Sequence, residues 1–318
     1  MSTAQVTPPA PYCSYIQPNA DAEFPAEKGR YHLYVAYMCP FACRALAARN
    51  LKGLEDAIGL SVAHSVSQRT RPDDENDTHR GWTFVDPKTT PTVTASNGKE
   101  YSTEGCTPDT VNHVKFVRDL YELVDKTPRK FSVPVLWDKK KQTIVSEQST
   151  DIMRTLDSGF RDLVPSNVRL YPEELRDEID AVNNGILEEI SQSFVQLLFA
   201  KTPEAMQEEL KSSRQAVAKL DALLAKSRYL VGNGVTEADI RMLHTLIRMD
   251  LNFHKADKQN LMQYPNVVGY LRDLYQIPGM KRSVNWDHLK IGLGNFLPVA
   301  PEGPFVDYDA PHDRAQLA

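Results

Sequence analysis

The chain is short of cysteine, of long apolar runs and of excess positive charge, and each shortage removes a class of protein. Four cysteines, Cys13, Cys39, Cys43 and Cys106, in 318 residues are too few and too scattered for a disulfide framework, which points to a reducing compartment. No apolar run approaches the roughly 18 residues needed to span a bilayer. The formal net charge is −5 and no basic stripe is present, so nucleic acid is not an expected partner. The Lys139-Lys140-Lys141 run reads as a hairpin tip. The first 19 residues carry prolines and polar side chains without an apolar core, matching neither a secretory signal nor a transit peptide. Together these point to a soluble, cytoplasmic protein, long enough for two domains of ordinary size.

What is present is a thiol in a telling place. The run Tyr34-Val35-Ala36-Tyr37-Met38-Cys39-Pro40 is a strand that ends where a helix begins. Pro40 suits the first helical position, so Cys39 falls at the N-cap, facing unpaired backbone N–H groups and the positive end of the helix dipole. Such a setting lowers a thiol below its free pKa of about 8.5, and the thiolate is the nucleophile. This favours a reactive cysteine over a buried structural one. Cys43 lies one turn further along the same face. Stacked cysteines are poorly aimed for a disulfide, so packing is its expected role. Two cysteines also fall short of a zinc site, and no metal is expected.

The first half alternates strand and helix: strand 31–37, helix 42–52, strand 60–63, a turn-rich excursion 68–110, helix 111–124, then a hairpin of 131–138 and 143–145. Pro134 cannot donate to a ladder, which fits a cis Val133–Pro134 bond that presents the backbone to a ligand. Ser149 is the N-cap candidate of the next helix. Beyond residue 171 the pattern is helical only, over 172–200, 203–225, 237–249 and 266–275. Thr236 and Asp239 form a capping box with a folding role. The expected organisation is a flexible segment 1–29, an α/β domain 30–157, an all-helical domain 158–290 and a tail 291–318 that runs over the surface.

This order of parts resembles a cytosolic glutathione transferase, and the details resemble its Xi class, the glutathionyl-hydroquinone reductases, related to the omega class. The resemblance rests on Arg30-Tyr31-His32-Leu33-Tyr34-Val35, Cys39-Pro40, Leu51-Lys52-Gly53-Leu54-Glu55, Gly81-Trp82, Val133-Pro134-Val135-Leu136-Trp137-Asp138, Thr236-Glu237-Ala238-Asp239-Ile240-Arg241, Thr245-Leu246-Ile247-Arg248 and Arg272-Asp273-Leu274-Tyr275-Gln276. It implies a thioredoxin-like N-terminal domain, an all-α C-terminal domain, glutathione as co-substrate and a homodimer. Catalysis maps to Cys39. Glutathione binding maps to Val133 for the cysteinyl part, to Gln148 and Ser149 for the γ-glutamyl end, and to Trp82, Phe41, Lys130, Phe131 and Ser132 around them. A loop anchor packed into the core is the alternative for Trp82.

The chain also departs from the family pattern. Where the family has Trp and, one residue later, His-Arg, this sequence has Phe41 and then Cys43-Arg44. Where the family places tyrosines of the helical domain, it has Val195 and Phe253, and residues 291–297 hold no tyrosine. The aromatic or electrophilic substrate is expected against Phe194, Val195 and Phe253. Without those phenols, quinol reduction loses its expected general acid. Two readings stay open: a cysteine-type glutathione enzyme, including a specialised transferase or isomerase, and a non-catalytic ligand-binding protein of the same fold.

Overall fold

The computed structural model describes residues 11–257, 260–296 and 303–317. The chain divides into two compact units. One runs to Ala45 and resumes over Leu54–Pro165; the other takes Leu46–Gly53 and everything from Ser166.

The first unit is built on β1 (Tyr31–Val35), the first half of α1 (Pro40–Leu51) and β2 (Ile58–Val62). All five residues of β1 are buried, as expected of a strand covered on both faces. After β2 the excursion is more ordered than its composition suggests. It forms two small hairpins, β3 (Gln68–Arg69) with β4 (Arg80–Gly81), and β5 (Thr92–Thr94) with β6 (Glu100–Ser102). Next come α2 (Val117–Val124), β7 (Val135–Asp138), β8 (Thr143–Ser146) and α3 (Ser149–Ser158). The main sheet has the order β2-β1-β7-β8, with β1 parallel to β2 and antiparallel to β7. Leu33 is flanked by Leu60 and Leu136, which sets the apolar register of the core. At the edge of β1, the Arg30 guanidinium donates to both oxygens of the buried Asp138 carboxylate at 3.0 Å. Burial pushes that carboxyl up, but the Arg30 and backbone hydrogen bonds outweigh it and hold it below the usual carboxylate range.

Three local expectations shift. The helix expected from residue 111 starts at Val117, because Asp109 takes the N–H groups of Val111 at 2.9 Å and Val114 at 3.1 Å into a turn. His113 within that turn has φ 56°, a left-handed backbone that a helix cannot hold. The N-cap of α3 is Gln148 rather than Ser149, which is the first helical residue. Residues 11–29, expected to be flexible, are held instead: Ser14 N–H donates to Val145 O at 3.0 Å and Ile16 N–H to Thr155 Oγ1 at 2.6 Å. Ile16 and Phe24 are buried.

The second unit is helical: α4 (Arg176–Val182), α5 (Glu188–Phe199), α6 (Pro203–Leu224), α7 (Glu237–Asp257), α8 (Pro265–Tyr275), α9 (Pro278–Lys281) and α10 (Trp286–Phe296). The single helix expected over 172–200 is broken by a wide turn at Asn183–Leu187, where Gly185 takes φ −101° and ψ −110°. At the start of α7 the buried Asp239 carboxylate accepts from Thr236 N–H at 2.8 Å, Leu230 N–H at 3.0 Å and the Tyr270 phenol at 2.8 Å. The Thr236 hydroxyl donates to the same carboxylate at 3.0 Å instead of capping the backbone. The described part of the tail over 303–317, expected to run over the surface, has buried residues of its own. Asp250 accepts from Phe305 N–H and Val306 N–H at 3.1 and 3.2 Å, and Val306, Tyr308 and Arg314 are buried. The Arg314 guanidinium donates to carbonyls of Leu224 and Arg228, each at 3.0 Å, capping the end of α6.

Candidate active site

Pro40 opens α1, and the Cys39 carbonyl accepts the first helical bond from Cys43 N–H at 3.1 Å. Cys39 is therefore the N-cap residue, with its side chain half-buried. Its Sγ lies 3.4 Å from the Val133 carbonyl oxygen, and the Val133–Pro134 bond is cis. Because Pro134 carries no N–H, the ladder of β7 begins only at Val135. The backbone of Val133 is thus turned out of the sheet and toward the thiol.

The other two thiols of this unit with buried side chains have different surroundings. Cys43 is enclosed, its Sγ 3.1 Å from the Tyr37 carbonyl. Burial alone pushes the Cys106 thiol up to about 12, which leaves it protonated and unreactive.

Around Cys39 and Val133 the remaining expected residues divide by environment. Phe41 is half exposed, with the buried Arg44 guanidinium 4.7 Å from its ring centroid, a cation–π contact. Trp82 is half-buried after β4, and its carbonyl accepts Val117 N–H at 3.1 Å, tying it to the start of α2. Lys130 is exposed. The Phe131 ring packs at 5.2 Å from His79 and 5.6 Å from Tyr121, with the Arg118 guanidinium 5.4 Å away. Ser132 is half-buried, Gln148 exposed and Ser149 buried. The Ser146 hydroxyl takes the Gln148 N–H at 3.2 Å, but the Gln148 side chain makes no capping bond to the first turn of α3, which leaves the amides of its first helical residues to an anion.

Cys39 and Val133 are in direct contact. The Ser132 and Gln148 segments are joined through Tyr121, whose phenol lies 3.0 Å from Ser132 O and 2.7 Å from Glu147 Oε2. The sequence reading missed both Tyr121 and Glu147. A tyrosine inside the expected helix 111–124 and a glutamate beside Gln148 carry no local signal of a role; their pairing appears only in the fold. In the helical unit, Phe194 is buried on α5 and Val195 is 47 % exposed. The side chain of Phe253 lies outside the described residues. Among the described residues, no group of three or more His, Cys, Asp or Glu could hold a metal ion, and no helix is long and apolar enough to cross a membrane.

An α/β unit with this sheet order, a Cys-Pro helix start and a cis Val-Pro, followed by an all-helical unit, defines a recognisable class. The sequence matches the glutathione S-transferase N-terminal domain over residues 38–158 and the C-terminal domain over residues 203–273. The chain belongs to the glutathione S-transferase family. It is 37% identical over 307 residues to the glutathionyl-hydroquinone reductase YqjG of Escherichia coli K12, covering 93% of this chain and 86% of that one. It is 31% identical to the glutathionyl-hydroquinone reductase PcpF of Sphingobium chlorophenolicum, covering 89% of this chain and 87% of that one. Among solved structures, the Xi class transferase of Natrialba magadii superposes with a TM-score of 0.81 at 36% identity, covering 97% and 90% of the two chains. Within the family, then, the chain falls in the Xi class, the glutathionyl-hydroquinone reductase-like branch of these glutathione-dependent transferases and oxidoreductases.

Proposed function

We propose that the chain is a cysteine-type glutathione enzyme that removes glutathione from a small-molecule adduct, with Cys39 as the nucleophile. The observation that carries this reading is the position of Cys39 at the start of α1, half-buried, with Sγ 3.4 Å from the carbonyl of Val133. A helix start favours the thiolate over the thiol. The Val133 backbone would hold the cysteinyl part of glutathione, which sets the transferred sulfur beside the attacking one. The γ-glutamyl carboxylate would sit on the uncapped start of α3, at Gln148 and Ser149. Trp82 would pack on the peptide, with Phe41, Lys130, Phe131 and Ser132 completing the wall.

In the first step the Cys39 thiolate attacks the glutathionyl sulfur and forms a mixed disulfide. The bond from that sulfur to the rest of the substrate breaks, and its electron pair departs with the leaving group, which takes up a proton. A second glutathione thiolate then attacks the glutathionyl sulfur of the mixed disulfide, which releases oxidised glutathione and the Cys39 thiolate. The acceptor would be an aromatic or electrophilic molecule seated against Phe194, Val195 and Phe253. A cytoplasmic homodimer is part of the same reading.

A carbon leaving group needs protonation, whereas a thiolate leaves with little help. With Val195 and Phe253 in place of phenols, the enzyme should act on a small glutathionyl disulfide about 10²- to 10⁴-fold faster than on a glutathionyl-hydroquinone, the usual worth of general acid catalysis. Steady-state rates on the two substrates test this. Equal rates would contradict the loss of the acid, and no turnover of either substrate would favour a non-catalytic glutathione-binding protein.

A further inference from the structure

The side chain that joins the two arms of the proposed glutathione site belongs to neither arm. Tyr121 lies on α2, fully buried, with its phenol oxygen 2.7 Å from Glu147 Oε2 and 3.0 Å from the Ser132 carbonyl oxygen. Ser132 directly precedes Val133, and Glu147 directly precedes Gln148 and Ser149. Each end of the bridge is thus within two residues of a backbone position assigned to glutathione. Glu147 is fixed from its other side by the chain start: Tyr12 N–H donates to its Oε1 at 3.2 Å, and its own N–H donates to Tyr12 O at 2.9 Å. The phenol ring is held by Phe131 at 5.6 Å and Tyr12 at 6.3 Å between centroids.

We infer that Tyr121 is a positioning residue, a crossbar that sets the span between the Val133 backbone and the start of α3. The physical reason lies in the two oxygens it separates. A carbonyl and a carboxylate are both acceptors, and the single phenol proton is shared between them, mainly with the nearer carboxylate oxygen; without it the two oxygens face each other with no donor. Glutathione would touch both arms at once, so its affinity depends on their separation. Burial, with the nearby Glu147 charge, pushes the Tyr121 phenol up, which keeps it a donor at neutral pH.

This inference rests on the glutathione site proposed above, and the experiment separates the two. Glutathione affinity is measured by calorimetry on Tyr121→Phe, Ser149→Ala and the double variant, with Cys39 alkylation by iodoacetamide and thermal unfolding followed in parallel. Loss of the bridging hydrogen bond should weaken glutathione binding about three- to tenfold. Ser149→Ala should weaken it too. In the double variant the Tyr121 change should add little, because one arm is already released. In Tyr121→Phe, alkylation of Cys39 should change far less than glutathione affinity, because the helix start beside the thiol is untouched. Glu147→Gln, which keeps an acceptor for the phenol, should bind glutathione far better than Glu147→Ala.

Unchanged affinity in Tyr121→Phe beside a weakened Ser149→Ala would overturn the crossbar and leave the site standing. Equal losses for Tyr121→Phe with and without Ser149→Ala would also overturn it, since the phenol would then act through stability alone. Unchanged affinity in every variant would remove the crossbar together with the site.

Discussion

Two helix starts in this chain are built in opposite ways. The start of α7 is closed: one buried carboxylate, Asp239, accepts two backbone N–H groups, the Thr236 hydroxyl and the Tyr270 phenol. At the start of α3 the Ser146 hydroxyl takes only the Gln148 N–H, and the Gln148 side chain does not cap the first turn. At α7 the carboxylate ties the residue before the helix and the preceding loop to the first turn, and the Leu170 carbonyl takes Glu237 N–H at 2.8 Å, which stabilises the fold; a first turn without such partners keeps its amides and the positive end of the dipole for a ligand. The start of α1 takes a third course, with a thiol at the N-cap instead of a hydroxyl or carboxylate. The lesson is that a cap residue serves folding or chemistry according to what satisfies the first turn.

The contrast should break most visibly at Asp239. Asp239→Ala would leave several buried donors unpaired and should cost about 3–5 kcal/mol of stability, read by urea unfolding, with glutathione affinity of the folded protein unchanged. Lost glutathione binding without lost stability would show that the closed start is not a folding device.

At the open start the expected change is smaller and falls on binding. Ser149→Ala should weaken glutathione by about 1–3 kcal/mol, the cost of one hydrogen bond to a charged ligand group, with little change in unfolding. A loss of stability alone would make Ser149 a folding residue like Thr236.

The smallest effect is expected from acid. Asp138 is held below its ordinary range by Arg30. A carboxylate depressed in the folded state contributes stability that is present above its unfolded pKa of about 3.9 and lost as pH falls through the lower folded value. Asp239 has the opposite sign: burial pushes it up while its hydrogen bonds hold it back. Stability should therefore fall below about pH 4 in the wild type and fall less steeply in Asp138→Asn. Parallel acid profiles for the two proteins would remove the Arg30–Asp138 pair from this account.

The parts of the site legible in the sequence are those fixed by covalent geometry. Pro40 dictates a first helical turn and so the place of Cys39, and Pro134 marks the end of ladder pairing and the cis bond at Val133. What was not legible depends on partners far away in sequence. Ile16 is held by Thr155, Glu147 by Tyr12 and Arg314 by carbonyls near residues 224–228, and no local pattern announces a pairing across more than eighty residues. The start of α2 at Val117 differs from the helical period for a related reason. Val111 and Val114 fit the helical period, but the Asp109 carboxylate competes for their N–H groups and wins.

The central claim is that the thiol at the start of α1 attacks the glutathionyl sulfur. It is tested most directly by mixing the protein with a glutathionyl disulfide, quenching, and mapping the bound glutathione by peptide mass spectrometry in the wild type and in Cys39→Ser. The serine still caps the helix, so the variant should remain folded. The account predicts one glutathione on Cys39 in the wild type, with no adduct on Cys43 or Cys106 and no turnover in Cys39→Ser. Full turnover by Cys39→Ser, or an adduct carried by a different cysteine, would contradict it.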